Sequence, residues 1–302
     1  MGMRYVFVWF LLIATCSRHA SSATQGDTMN VVLISCNHRG MLLSRILLSS
    51  ILHNKETPEL LNITVIGDTI ARDGLQPCTA KMSQREDINI NHVDLGTASV
   101  FKKNIPDSPS MQRFQCAYVK LELAFILTQY NHTIYIDSDT LLLEDIATLW
   151  NDYRGYEPAH LADKATLYIA RGSESIAYTG FMSYKKHYIH PGHINTGVLF
   201  MNLFKLRQQN MTLANFLAVI DERDELADND ILETWAYYNL NKFGILPCKW
   251  NKVMGSGCPD HGIVNGIIHG ANGNFERPRL KNLPQDLQDI NNFYERQWNL
   301  FC

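Results

Sequence analysis

Thr133-Ile134-Tyr135-Ile136-Asp137-Ser138-Asp139-Thr140-Leu141 is a continuous run of strand formers that ends in two carboxylates one residue apart. A short apolar run bounded by a turn signal reads as a strand buried on both faces. In an open α/β sheet, ligands bind beyond the carboxyl ends of the strands, so Asp137 and Asp139 stand where a site belongs. Two acids so close repel one another unless a cation lies between them. Hard divalent ions take carboxylate oxygens and keep positions open for substrate phosphates. Asp, Ser and Asp are also ordinary turn residues, and a solvated turn is the competing reading of this stretch alone.

On the N-terminal side, Asn30-Val31-Val32-Leu33-Ile34-Ser35-Cys36 predicts a buried strand feeding the polar turn Asn37-His38-Arg39-Gly40. Leu43, Ile46, Leu47 and Ile51 recur at helical spacing over 41–52, and 61–66 resumes a strand pattern that ends at Gly67-Asp68. Strand, helix, strand implies a parallel pair with a right-handed crossover. Residues 76–87 read as a loop or short helix without an assigned place, and 88–95 as another strand. Residues 114–130 form a helix that is apolar almost all round and therefore buried. Lys120 lies on the side of Ala117, Leu121 and Ala124, so its ammonium has to snorkel to water or meet an anion. A substrate phosphate is one such anion, because this helix leads directly into the strand carrying Asp137.

Beyond the acids, 141–150 reads as a short helix and 165–170 as a strand. Residues 172–192, rich in Tyr, Ser and Gly with Lys185, Lys186 and His187, suit a loop over a site. Ile194-Asn195-Thr196-Gly197-Val198-Leu199-Phe200-Met201-Asn202 predicts a strand, followed by a helix over 203–222. Asp228-Asn229-Asp230 precedes Ile231, Leu232, Trp235 and Tyr238 at helical spacing, so these acids are either first-turn charges favoured by the helix dipole or site residues. A last strand over 262–268 ends in His269-Gly270-Ala271-Asn272-Gly273, an imidazole followed by glycines that let backbone approach a ligand.

The chain has 302 residues, 46% of them hydrophobic, and a formal charge of −3. That length buries a sizeable core as one large domain or two small ones, and the charge argues against a nucleic-acid partner. Arg4 precedes an apolar run over 5–15, shorter than the roughly 20 residues that cross a bilayer but suited to a signal peptide. The small residues Ser21-Ser22-Ala23 offer a cleavage point. The expected organisation is a signal peptide over 1–23 and one domain over 24–302, in the secretory-pathway lumen (ER or Golgi) or secreted. A short uncleaved anchor is the alternative, and membrane contact belongs to that case alone.

Cys16 falls in the signal, leaving Cys36, Cys78, Cys116, Cys248, Cys258 and Cys302, an even number able to pair in an oxidising lumen. Cys248 and Cys258 are the expected pair, since the short loop between them carries Gly255 and Gly257. The sequons at Asn62, Asn131 and Asn210 are usable only in that compartment, and Asn62 borders a strand.

Taken in order, these residues resemble a family. Tyr135-Ile136-Asp137-Ser138-Asp139, Asp145-Ile146, Leu149-Trp150, Asn195-Thr196-Gly197-Val198, Asp228-Asn229-Asp230, Leu246-Pro247-Cys248-Lys249-Trp250-Asn251 and Ile268-His269-Gly270 are similar to the motifs of family 8 retaining glycosyltransferases. Within it, the Leu-Pro-Cys-x-Trp-Asn run, Phe114-x-Cys116-Ala117 and residues 181–201 look most like glucoside xylosyltransferases, which act on O-linked glucose of epidermal-growth-factor-like repeats. The resemblance implies an α/β GT-A fold as a single domain, with a Rossmann-like, mostly parallel central sheet flanked by helices. It implies a UDP-sugar donor, xylose before glucose or galactose, and a glycoprotein or glycan acceptor.

Carried over by residue, the resemblance assigns Asp137, Asp139 and His269 to Mn²⁺, with Mg²⁺ also fitting the carboxylates. Lys120 stands near the donor, Asn195 and Asp228 hydrogen-bond its sugar, and Gly270 lies against the substrate. Asp228 and Asn229 are the candidate catalytic pair. Two departures stand out: Asn229 replaces the Gln usual between those acids, and Arg277 stands near where many members carry Lys-Pro-Trp. A secreted binding protein that kept the fold without turnover is the alternative from another class.

Overall fold

The computed structural model describes residues 28–96, 115–155, 165–171, 194–218, 227–253, 265–270, 275 and 281–302. Its centre is a seven-stranded sheet. In chain order the strands are β1 (Thr28–Ser35), β2 (Leu60–Gly67), β3 (Ile88–Asp94), β4 (His132–Asp137), β6 (Leu167–Arg171), β7 (Ile194–Asn202) and β8 (Phe243–Leu246). They lie in the order β3-β2-β1-β4-β7-β6-β8, all parallel except β7, which runs against β4 and β6. A second sheet joins β5 (Thr140–Leu142) to β10 (Ile267–His269), with β9 (Lys252–Val253) at its edge.

Side chains alternate along each strand between two covered faces. Val31, Leu33, Ile134, Ile136, Val198 and Phe200 pack on one side, with α1 (Asn37–His53), α2 (Thr69–Met82) and α4 (Ile146–Gly155). Val32, Ile34, Tyr135, Leu199 and Met201 pack on the other, with α3 (Gln115–Ile126), the short α5 (Leu203–Gln208) and α6 (Leu213–Leu217), and α7 (Asp228–Tyr238). Burial on both faces is why the strands read as unbroken apolar runs. The alternation also places Asp137 on the side of Tyr135, facing α3 and α7. α8 (Gln285–Phe301) lies along α1.

Five sequence expectations change. The turn at 37–40 is already helix: Asn37 takes φ +59° and its Oδ1 accepts from Arg39 N at 2.9 Å and Gly40 N at 3.2 Å, so one asparagine replaces a loop. Residues 76–82 belong to α2, which is capped by Asp68 and contains Pro77. The helix expected over 141–150 is strand β5 followed by α4, because Leu141 and Leu142 pair with Ile268 and Ile267. The helix expected over 203–222 breaks after Gln208, where Asn210 takes φ +50° and Thr212 caps a new helix. The helix expected over 114–130 is the shorter α3, with Phe114 outside the described residues, as are residues 1–27 and 172–193.

Cys36 pairs with Cys116 and Cys78 with Cys302. Cys248 is also disulfide-bonded, while Cys258, its expected partner, lies outside the described residues. The Cys78–Cys302 bridge ties α2 to the end of α8, where Lys81 Nζ also donates to Cys302 O at 2.6 Å. Replacing both cysteines with serine should destabilise the protein by about 2–4 kcal/mol. A thermal melt without reductant should read that loss as roughly 5–10 °C. An unchanged melt would show that α8 holds to α1 by packing alone.

Candidate active site

The site forms where strand ends converge. β7 runs antiparallel to β4 with Ile136 opposite Val198, so the start of β7 lies beside the end of β4 and brings Asn195 and Thr196 to Asp137. β10 pairs with β5 with His269 opposite Thr140, which sets the imidazole beside Asp139. The Ser138 turn is fastened by Thr140 Oγ1 donating to Asp137 O at 2.8 Å and Gly270 N donating to Asp139 O at 2.8 Å.

One ligand atom each from Asp137, Asp139 and His269 lies within 4.8 Å of the others. His269 Nε2 is 3.2 Å from Asp139 Oδ1 and 3.7 Å from Asp137 Oδ2. Its other nitrogen, Nδ1, is 3.0 Å from both Asn195 Oδ1 and Asn251 Oδ1. Asn251 is fully buried, and its Nδ2 donates to Asn195 O at 3.0 Å and Asn195 Oδ1 at 2.7 Å, which turns its own oxygen toward the imidazole. Both neighbours of Nδ1 are acceptors, so Nδ1 carries the proton and the neutral ring offers its lone pair at Nε2. Two carboxylates and that lone pair fit a divalent cation. Gly197 makes room for the ring, since a Cβ there would lie 2.2 Å from His269 Cε1.

Lys120 stands behind this trio, only 2% exposed. Its Nζ is 3.1 Å from Asp137 Oδ1 and 2.7 Å from Asp228 Oδ2, and it lies 4.6 Å from the centre of the Tyr135 ring. The anions expected for Lys120 are therefore carboxylates of the chain itself. Burial opposes the charge on Lys120, but Asp137 and Asp228 outweigh it and hold the ammonium protonated. Burial likewise opposes ionisation of Asp228, and Lys120 overrides it. Burial and then Asp137 push the Tyr135 hydroxyl well above its ordinary range, and this hydroxyl donates to Asp137 Oδ1. Three carboxylates against one ammonium leave an excess of negative charge that a cation would offset.

The remaining expected site residues are placed as follows. Asn195 spends its oxygen on His269, Asn251 and Gly197 N, so only its Nδ2 is left for a ligand. Asn229 Oδ1 accepts from Thr196 N at 2.8 Å, which commits that oxygen to the start of β7. Thr196 Oγ1 also lies 2.6 Å from Asp228 Oδ2. Gly270 gives its N–H to Asp139 and makes room for Phe275, whose ring a Cβ would meet at 2.4 Å. Arg277 lies outside the described residues. The orienting roles of Tyr135, Thr196 and Asn251 were not read from sequence, although Asn251 lies in one of the quoted motifs.

A mostly parallel sheet flanked by helices, with acids at its strand ends, is the GT-A fold of glycosyltransferases. Mouse xyloside xylosyltransferase 1 in its apo form has this fold, with a TM-score of 0.61 and 19% identity over 82% of this chain and 98% of that one. The galactosyltransferase LgtC, solved with donor and acceptor sugar analogues, matches with a TM-score of 0.61 and 15% identity over 88% of this chain and 96% of that one. The profile of glycosyl transferase family 8 matches residues 31–263, and the chain belongs to that family. Glucoside xylosyltransferase 1 of Gallus gallus is 24% identical over 200 residues, 59% of this chain and 45% of that protein. Glucoside xylosyltransferase 2 of Mus musculus is 25% identical over 203 residues, 58% of this chain and 44% of that protein. The chain thus spans under half the length of these relatives.

Asn251→Ala should weaken Mn²⁺ binding by about 10–100-fold, because the imidazole loses one of the two acceptors that set its tautomer and Asn195 loses the amide that positions the other. Calorimetric titration reads this, and unchanged affinity would reduce Asn251 to a packing residue. A pH dependence follows as well. Burial lowers the pKa of His269, but the hydrogen bond and charge of Asp139, then Asp137, outweigh it and raise the pKa above its ordinary 6.5. A protonated Nε2 cannot ligate, so Mn²⁺ affinity should rise with pH through that raised value and then level off. A flat profile over the same range would remove His269 from the ligand set.

Proposed function

We propose that the chain transfers a sugar, xylose first, from a UDP-sugar to a glycan hydroxyl such as O-linked glucose on epidermal-growth-factor-like repeats, with retention at the sugar carbon. The observation that carries this reading is the Asp137, Asp139 and His269 trio with its lone pair fixed at Nε2. The relatives named glucoside xylosyltransferase support xylose as the donor sugar.

In this reading Asp137 and Asp139 hold the cation through carboxylate oxygens and His269 through Nε2. A divalent cation bound there supplies positive charge opposite the diphosphate as the glycosidic bond breaks. Lys120 holds Asp137 and Asp228 in place and keeps Asp228 ionised. Asp228 faces developing positive charge on the sugar ring as a fixed anion. Its Oδ2 is held by Lys120 at 2.7 Å and Thr196 at 2.6 Å, which makes that oxygen a poor nucleophile. That favours attack by the acceptor hydroxyl from the leaving-group side over a covalent sugar on Asp228. Asn195 Nδ2 is left to donate to the sugar, and Arg277 to the diphosphate.

The disulfides support an oxidising lumen of the secretory pathway, or secretion, as the compartment. Among the described residues, no helix is long and apolar enough to cross a membrane.

UDP release with Mn²⁺ should be measured for UDP-xylose, UDP-glucose and UDP-galactose, with and without a glucosylated acceptor. The expected result is acceptor-dependent release from UDP-xylose, its loss in Asp139→Asn, and strong rejection of UDP-glucose. Crowding against the extra CH₂OH has to supply that rejection, because the contacts of one carbon are worth only about 1–3 kcal/mol. Comparable rates with UDP-xylose and UDP-glucose would count against a dedicated xylosyltransferase. No release from any donor would leave a binding protein on this fold.

A further inference from the structure

Two of the three sequons meet at one cavity, at the end of the sheet opposite the acids. Asn62 sits inside β2, paired with Asn30 on one side and Asn89 on the other. Its Nδ2 donates to Tyr130 Oη at 2.9 Å and Asn30 Oδ1 at 3.3 Å, so both amide hydrogens are in use. Its Oδ1 accepts from Asn89 at 2.8 Å and Asn91 at 3.3 Å, and Thr64, the last sequon residue, is 1% exposed. Thr133, the last residue of the Asn131 sequon, is as buried as Thr64, but Asn131 itself differs from Asn62. It is exposed, in the connection between α3 and β4. Arg207 Nη2, which also donates to Tyr130 O at 2.9 Å, approaches Asn131 Oδ1 at 3.4 Å. No described group accepts from Asn131 Nδ2, the atom that a glycan would modify.

The cavity beside it is about 430 Å³, lined by Asn131 with Asn30, Gln129, Tyr130, His132 and Trp150. Amides, a hydroxyl and aromatic rings are groups that bind sugars, by hydrogen bonds to hydroxyl and acetamido groups and by packing on the ring's apolar face. Two of the polar groups have capacity to spare. Gln129 is exposed and its amide makes no hydrogen bond among the described residues. Tyr130 Oη accepts from Asn62 and keeps its own proton to give.

We propose that Asn131 is an N-glycosylation site whose first sugars occupy this cavity, and that Asn62 stays unmodified. In the attachment, Asn131 Nδ2 forms a bond to C1 of the reducing-end N-acetylhexosamine of an oligosaccharide carried on a lipid diphosphate. The C1–O bond to the diphosphate breaks, the lipid diphosphate leaves with the electron pair, and Nδ2 gives up one proton. The inference rests on the oxidising compartment read from the disulfides, not on the identity of the donor sugar.

The full chain should be secreted from a eukaryotic host and treated with peptide-N-glycosidase F in heavy-oxygen water, native and denatured. Mass spectrometry of peptides then reads occupancy and release at each asparagine. The expected result is glycan on Asn131, none on Asn62, and native release at Asn131 about tenfold slower than denatured release, as one or two net hydrogen bonds would make it. Gln129→Ala, at an exposed position, should remove most of that protection while leaving occupancy unchanged. An unmodified Asn131, equal native and denatured release, or glycan on Asn62 of folded protein would each overturn the proposal.

Discussion

The whole cleft depends on an ammonium that water cannot reach. Lys120 is 2% exposed, and an unpaired charge at that depth is unaffordable, so its neighbours have to be carboxylates. They come from two other elements, Asp137 at the end of β4 and Asp228 at the start of α7. Three parts of the chain are thereby held at fixed distances around one nitrogen. Breaking such a buried pair from one side costs about 3–5 kcal/mol, because the stranded charge stays buried. The same constraint keeps Asp228 ionised and fixes Asp137 beside it.

Around that charge centre a second network sets direction rather than charge. Asn251 donates to Asn195, and both present oxygen to His269 Nδ1, so the ring's free lone pair faces Asp139. Asn229 holds Thr196 N, which steadies the start of β7 that carries Asn195. The oxygen of the shorter Asn at 229 is therefore satisfied by the protein itself.

Much of this was legible in the sequence for one physical reason. β1, β4 and β7 are buried on both faces and so read as unbroken apolar runs, and the acids and imidazole stand out because they interrupt such runs at strand ends. What was not legible depends on distant partners. Leu141 and Leu142 are apolar enough for helix or strand, and only pairing with Ile267 and Ile268 decides between them. β8 and β9 are too short to carry a period. Pro77 and a polar face obscured α2, and a single left-handed residue, Asn210, split a helix that its apolar spacing would have continued. Asn251 reads as one polar residue in a loop, since its task is defined by atoms on β7 and β10.

The Cys36–Cys116 bridge lies one helical turn before Lys120 and crosses from the end of β1 to α3, with Cα atoms 6.4 Å apart. It staples the helix that bears the buried ammonium to the strand next to β4. The bridge thus adds a covalent tie beside the charge centre, of a kind that persists in oxidising surroundings. Without that bond the position of Lys120 relative to β1 would rest on packing and ion pairs alone, so the thiol–disulfide state of the surroundings reaches the buried charge through a single turn of helix.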